Sequence, residues 1–264
     1  MQHSINLLHI TDPHILAHDE DRLLGVDTAY YLRRVLTNAS EFHLTFNHCL
    51  VTGDLTQHPS NSAYQRLSDI LVDYPFDYTC LPGNHDDFTR MQNILDMPRI
   101  DCKKHLILAN WQIICLNSQL PGSAGGYVSR EELDFLDKKL TDYPSYFSVI
   151  AIHHHLVPSE SKWMDTMIIE NAHELFKVLN KHSNVRTVIH GHIHQEMDRK
   201  IRNIRLCSTP STCFQFKPGS ETFALDDASP GFRWLTLHDD GEFTTGIVRL
   251  QESIEGLTFS TGGY

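Results

Sequence analysis

The stretch "VIHGHIHQEMD", residues 188–198, places three histidines in five positions: His190, His192 and His194. A polar strand end accommodates such a cluster, and so does a metal site. Two or three imidazoles cannot complete a coordination sphere alone. Four other places supply more donors. "TDPH" carries Asp12 and His14, and "TGD" carries Asp54. "PGNHD" carries Asn84, His85 and Asp86, and "HHH" is His153, His154 and His155. All are oxygen or nitrogen donors, and no cysteine is among them. That set suits hard-to-borderline divalent cations such as manganese, iron, zinc or cobalt rather than Cu(I). One carboxylate would bridge two cations roughly 3.5–4 Å apart. Taken singly, "DPH", "GD" and "GNHD" also fit ordinary turns. Their succession argues for a metal centre, with His192 and His194 as ligands and His190, across Gly191, as a structural residue.

Each block follows a short apolar run. "INLLHI" (5–10), "HCLVT" (48–52), "DYTCL" (77–81), "WQIICLN" (111–117), "FSVIAI" (147–152) and "VRTVI" (185–189) read as strands. Between them, helical spacing appears over 29–43, 63–74, 88–95, 129–140 and near 170–181. Ser129 and Glu132 form a capping-box pattern at the fourth of these helices. From about residue 199 the chain turns β-rich, with antiparallel patterns and a hairpin signal at "DDG", 239–241. The expectation is one α/β domain over 1–264, built as two packed sheets with helices outside. In open α/β sheets, sites collect beyond the carboxyl ends of strands. An extended backbone would put Asp12 and His14 on one side, and likewise His192 and His194. Asn84 would then face a metal while His85 turns toward a substrate. Gly53, Gly83 and Gly191 each precede a candidate ligand, where the backbone must turn sharply.

Charged residues sum to 22 − 33 = −11 with histidine neutral. A surface this acidic argues against nucleic acid as a partner, although bound cations could still attract a small anion. The six cysteines form no CxxC pair, and four lie in apolar runs, as reduced cytosolic thiols do. The N-terminus has no signal-peptide pattern and no stretch approaches a membrane span, so the expected location is the cytoplasm.

In order and type, these blocks resemble the calcineurin-like metallophosphoesterases, whose pattern runs D-x-H, G-D, G-N-H-D/E, H, G-H-x-H. The resemblance implies a four-layer α/β/β/α sandwich of two mixed sheets with outer helices. It implies one metal on Asp12, His14, Asp54 and His194, and a second on Asp54, Asn84, His153 and His192. Ferrous iron and manganese are the first expectation, with zinc, cobalt or magnesium compatible. His85 would act on the leaving group, with Asn84 beside it. His14, Asn84, His85 and His154 would border the substrate, although His154 reads equally well as a polar neighbour. Asp86 would either orient His85 or cap the following helix, and the cap is preferred.

"GHIHQEMD", "CSTPSTCFQFKPGS" and "DDASPGFRWLTLHDDGEFTT" extend the likeness to the bacterial class III 3′,5′-cyclic-AMP phosphodiesterases. Leu156 stands where that family usually has proline, and Asn117 where aspartate is common; both are expected at the substrate rim. This resemblance implies hydrolysis of a small cyclic nucleotide, cyclic AMP to 5′-AMP, by a metal-activated hydroxide. A broader phosphodiesterase acting on 2′,3′-cyclic nucleotides or glycerophosphodiesters is the alternative. Further off stands a non-catalytic binding module, which the intact ligand blocks disfavour. Tyr127, Phe214 and Phe216 could stack on a base, but aromatics in a β-rich segment read first as core.

Overall fold

The structure, a computed structural model, describes residues 4–259. Its strands in chain order are β1 (Ile5–Ile10), β2 (His48–Thr52), β3 (Tyr78–Leu81), β4 (Ile100–Asp101), β5 (His105–Leu108), β6 (Trp111–Cys115) and β7 (Phe147–Ala151). They continue as β8 (Val185–His190), β9 (Met197–Ile201), β10 (Ile204–Ser208), β11 (Gln215–Phe216), β12 (Leu225–Asp226), β13 (Gly231–Leu237) and β14 (Phe243–Arg249). The helices are α1 (Thr28–Ser40), α2 (Asn61–Val72), α3 (Phe88–Ile94), α4 (Arg130–Asp142) and α5 (Ala172–Leu179).

Two six-stranded mixed sheets result. The first runs β14-β13-β1-β2-β3-β4 and the second β5-β6-β7-β8-β10-β9. Within the first, β1 to β4 are parallel while β13 and β14 join antiparallel. In the second, β6, β7, β8 and β10 are parallel and edged by antiparallel β5 and β9.

Side-chain alternation explains the layers. Leu7, Leu50 and Leu81 of the first sheet meet Ile113, Val149, Ala151, Ile189 and Cys207 of the second in one apolar cluster. Their neighbours Leu8, Cys49, Val51 and Cys80 point the other way, into the cluster that buries α1, α2 and α3. Ile114, Ile150, Val188 and Leu206 likewise face α4 and α5. Strands buried on both faces must read as continuous apolar runs, which is how "HCLVT" and "FSVIA" read. Each fully buried Leu or Ile is worth roughly 1.5–3 kcal/mol against exposure. The fold is thus the expected four-layer α/β/β/α sandwich.

Some local expectations change. The helix expected over 29–43 stops at Ser40, and Phe42 beyond it meets Phe232 edge-on at 5.7 Å. Ser129 caps α4, but Glu132 does not close the box. Its carboxylate accepts from Lys104 Nζ (2.5 Å) and from the backbone N–H of Asn117 (3.2 Å), tying α4 to the second sheet instead. The cap of α3 is Asp87, which accepts from Arg90 N at 3.0 Å, and not Asp86. The short strands β4, β5, β11 and β12 had no counterpart in the sequence reading. Two- to four-residue pairings carry too little periodicity to be seen. Among the described residues, no helix is long and apolar enough to cross a membrane.

Candidate metal centre

All five donor blocks lie just past the carboxyl ends of parallel strands: β1, β2, β3, β7 and β8. The topology brings those ends together, so residues far apart in sequence become neighbours. Donor atoms of Asp12, His14 and His194 lie within 4.8 Å of one another, as do those of Asp12, Asp54 and His153, and those of His153, His154 and His192.

The backbone that aims these groups is not extended. Asp12 (φ 52°), His14 (44°), Asp54 (47°), His192 (67°) and His194 (46°) are all left-handed. The shared orientation within "DPH" and "HIH" therefore comes from bent residues at i and i+2, not from strand alternation. Left-handed geometry at a residue with a Cβ costs roughly 1–2 kcal/mol. Such strain persists only where packing over-determines it, and it clusters at functional sites. Two glycines make the close approach possible. Gly53 has φ +90°, and a Cβ there would meet the His153 ring at 2.3 Å. At Gly191 a Cβ would meet Thr11 Oγ1 at 1.9 Å and Asp12 Oδ2 at 2.5 Å.

Three of the imidazoles are held the same way. His14 Nδ1 lies 2.8 Å from Gln57 Oε1, His153 Nδ1 2.8 Å from Thr52 O, and His194 Nδ1 2.8 Å from Phe214 O. An oxygen acceptor at Nδ1 fixes the proton there and turns the Nε2 lone pair inward. His14 Nε2 and His194 Nε2 stand 3.2 Å apart, and His153 Nε2 stands 3.2 Å from Asn84 Oδ1. His192 Nε2 is buried without a hydrogen-bond partner, while its backbone N–H donates to Asp12 Oδ2 at 3.0 Å. Asp54 lies between the two groups. Its Oδ2 is 3.7 Å from His14 Nε2 and 3.4 Å from His153 Nε2, and its Oδ1 accepts from His85 N at 2.9 Å.

The electrostatics match an anionic pocket. Burial opposes ionisation of Asp54, yet His153 and His85 beside it hold the carboxyl well below the usual range. Asp12 is lowered too: burial raises it, but His194 outweighs that. Burial pushes His14 down to about 3 and His192 well below normal. Burial also opposes the charge on His153, but Asp54 draws it up to about 9. Two buried carboxylates beside the neutral rings of His14 and His192 form a donor set that divalent cations satisfy.

His154 is placed differently. It is fully buried, and both ring nitrogens have protein partners: Nδ1 with Ser118 Oγ at 2.7 Å and Nε2 with Ala124 O at 3.2 Å. Because a carbonyl only accepts, its proton sits on Nε2, the opposite tautomer to the other three. With both nitrogens engaged by Ser118 and Ala124, the His154 ring braces the 118–124 loop, as its reading as a polar neighbour has it. Asp86 neither caps α3 nor orients His85. Its carboxylate accepts from Gly83 N (2.9 Å), Leu55 N (3.0 Å), Thr56 N (3.3 Å) and Tyr64 OH (2.9 Å), clasping the "GD" and "GNHD" loops together. His85 is held by Gln57 O, 3.1 Å from its Nδ1, and its ring meets that of His14 edge-on at 5.0 Å. His190 is buried, with Nδ1 3.1 Å from Gly191 O.

A cleft opens over this centre. Asn84, His85 and His192 line a cavity of about 420 Å³, and Asn84 and His85 also line an adjoining one of about 570 Å³ beside Gln119 and Ser123. Phe214 and Phe216 are core, with Phe216 stacked on His194 at 4.2 Å. Tyr127, 38% exposed, is not among the residues lining either cavity. Leu156 is buried among the residues packed under α4 and α5, not at a rim. Asn117 Oδ1 accepts from Gln119 N at 2.8 Å, and Gln119 Nε2 donates to Gly83 O and Asp86 O. Asn117 thus reaches the cleft through Gln119. The sequence reading missed Gln57, although it lies three residues past Asp54. It also missed Thr52 and Phe214, which act through backbone carbonyls and so leave no trace in residue type.

The fold and this centre are those of a phosphate-ester hydrolase, and the chain belongs to the calcineurin-like phosphoesterase family, whose model matches residues 5–196. It is similar over nearly its whole length to two relatives named 3′,5′-cyclic adenosine monophosphate phosphodiesterase CpdA. The Haemophilus influenzae protein is 37% identical over 94% of this chain and 91% of its own, and that of Vibrio vulnificus 38% identical over 100% and 96%. Among solved structures, a dimetal phosphatase from Danio rerio shares the fold, with a TM-score of 0.60 at 15% identity over 91% of this chain and 98% of its own.

Proposed function

We propose that this chain hydrolyses 3′,5′-cyclic AMP to 5′-AMP at a centre loaded with two divalent cations, iron or manganese first. The observation that carries this reading is the position of Asp54 Oδ2 between His14 Nε2 and His153 Nε2, beneath a cleft lined by Asn84 and His85. Asp12, His14, Asp54 and His194 would hold one cation, and Asp54, Asn84, His153 and His192 the other. When bound, the cations supply the positive charge that draws in the phosphate, activates water and stabilises the in-line transition state.

The protein's own groups do the rest. Gln57, Thr52 and Phe214 hold the imidazoles in the tautomer that presents Nε2. Hydrolysis adds water at phosphorus and breaks the P–O3′ bond. The leaving 3′-oxygen takes a proton from Nε2 of His85, which enters the step carrying both ring protons, the Nδ1 proton held by Gln57 O, and is left as the neutral ring. Asp86 fixes the loop that carries His85 against the loop that carries Asp54. The names of the relatives support cyclic AMP as the substrate.

The test is metal-stripped protein reconstituted with manganese or ferrous iron. Cyclic AMP is assayed beside cyclic GMP, 2′,3′-cyclic AMP and bis(p-nitrophenyl) phosphate. Metal-dependent formation of 5′-AMP, faster than turnover of the others, is expected. Turnover of the generic diester alone would leave a broad phosphodiesterase and refute the cyclic-AMP assignment.

A further inference from the structure

The cavity beside Asn84 and His85 has a second end that the phosphate chemistry does not use. Trp163, Met164, Met167 and Phe223 line it. They come from two separate segments: the short 3-10 turn Met164–Met167 with the residue before it, and the loop between β11 and β12. Trp163 Nε1 donates to Ser220 Oγ at 2.9 Å, which ties the indole to that loop. Phe223 meets the indole edge-on at 5.3 Å and 73°. Behind both, Phe216 lies 5.0 Å from Trp163 and itself stacks on His194. The aromatic wall is therefore joined by packed rings to the candidate metal centre. Among the described residues, His85 and His192 are the only titratable groups lining this cavity. A flat, uncharged heterocycle fits such a wall, and a second phosphate would not.

We infer that Trp163 and Phe223 hold the base of the nucleotide while its phosphate lies at Asn84 and His85. This inference rests on the cyclic-nucleotide reading above. It names the specificity-determining residues of that same site, and none of them stood among the sequence candidates.

The experiment compares wild type, Trp163→Ala and Trp163→Phe on cyclic AMP and on a base-free analogue, 1-deoxyribose 3′,5′-cyclic phosphate. Stacking on one aromatic side chain is commonly worth roughly ten- to a hundredfold in affinity. The ratio of kcat/KM for cyclic AMP to that for the analogue should fall by about that factor in Trp163→Ala and recover in part in Trp163→Phe. An unchanged ratio would overturn the inference, whether or not both activities fall together. A second readout needs no metal. Titrating 5′-AMP into stripped protein should quench tryptophan fluorescence in wild type. Quenching of the same size in Trp163→Phe, where only Trp111 and Trp234 remain, would also overturn it. If loaded wild type cleaves no diester while 5′-AMP still quenches Trp163, the reaction is misassigned and the base site stands.

Discussion

His14 Nε2 and His194 Nε2 lie 3.2 Å apart although the two residues are 180 positions apart in the chain. Each ring is turned by an oxygen acceptor on its far nitrogen, so both lone pairs converge on one point. Burial pushes His14 down to about 3, so its ring is neutral near pH 7 and keeps the Nε2 lone pair. A cation at that point removes the repulsion between the lone pairs.

Chelation should destabilise the protein. A ligand held at a thousand times its dissociation constant adds about 4 kcal/mol to the native state. Melting followed by circular dichroism, before and after stripping, should show a drop on the order of ten degrees. Restoring manganese should reverse it. A melting temperature indifferent to metal would contradict the centre.

Asp54→Asn keeps the side-chain shape and the acceptor for His85 N but removes the charge between the two donor groups. Elemental analysis of the reconstituted variant should find fewer than two cations per chain, with turnover lost. Two tightly held cations would refute a bridging role.

His85→Ala should leave metal content close to wild type and lower kcat about a hundred- to ten-thousandfold, the usual range for a positioned acid. A substrate whose leaving group needs no proton, such as bis(p-nitrophenyl) phosphate, should suffer less. Equal losses on both substrates would argue that His85 does something other than protonate.

Gly191→Ala places a Cβ 1.9 Å from Thr11 Oγ1 and 2.5 Å from Asp12 Oδ2. Overpacking of this kind costs about 1–3 kcal/mol. Because the clash falls on Asp12, metal affinity should weaken along with stability. A variant that melts like wild type and loads normally would show that the loop yields more easily than its packing suggests.

The donor blocks were legible in the sequence because five of them come in succession, each placed after an apolar strand. The layers were legible because strands buried on both faces read as unbroken apolar runs. Three things were hidden for different reasons. The tautomers of His14, His153 and His194 depend on oxygens of Gln57, Thr52 and Phe214, two of them backbone atoms. His154 has the same residue type as its neighbours, yet its partners give it the opposite tautomer. Asp86 and Asp87 both suit a helix start, and only the fold decides which one caps.

The order of the first sheet bears on anyone who shortens this chain. The family match stops at residue 196, but β13 pairs with β1 from Ile5↔Leu237 to His9↔Arg233, and Ser211 Oγ donates to Asp12 O at 2.8 Å. A fragment cut at 196 would expose the flank of the strand that delivers Asp12 and His14, a bare edge of the kind on which chains stick to one another. Such a fragment would carry every one of the expected metal ligands and should still aggregate rather than work.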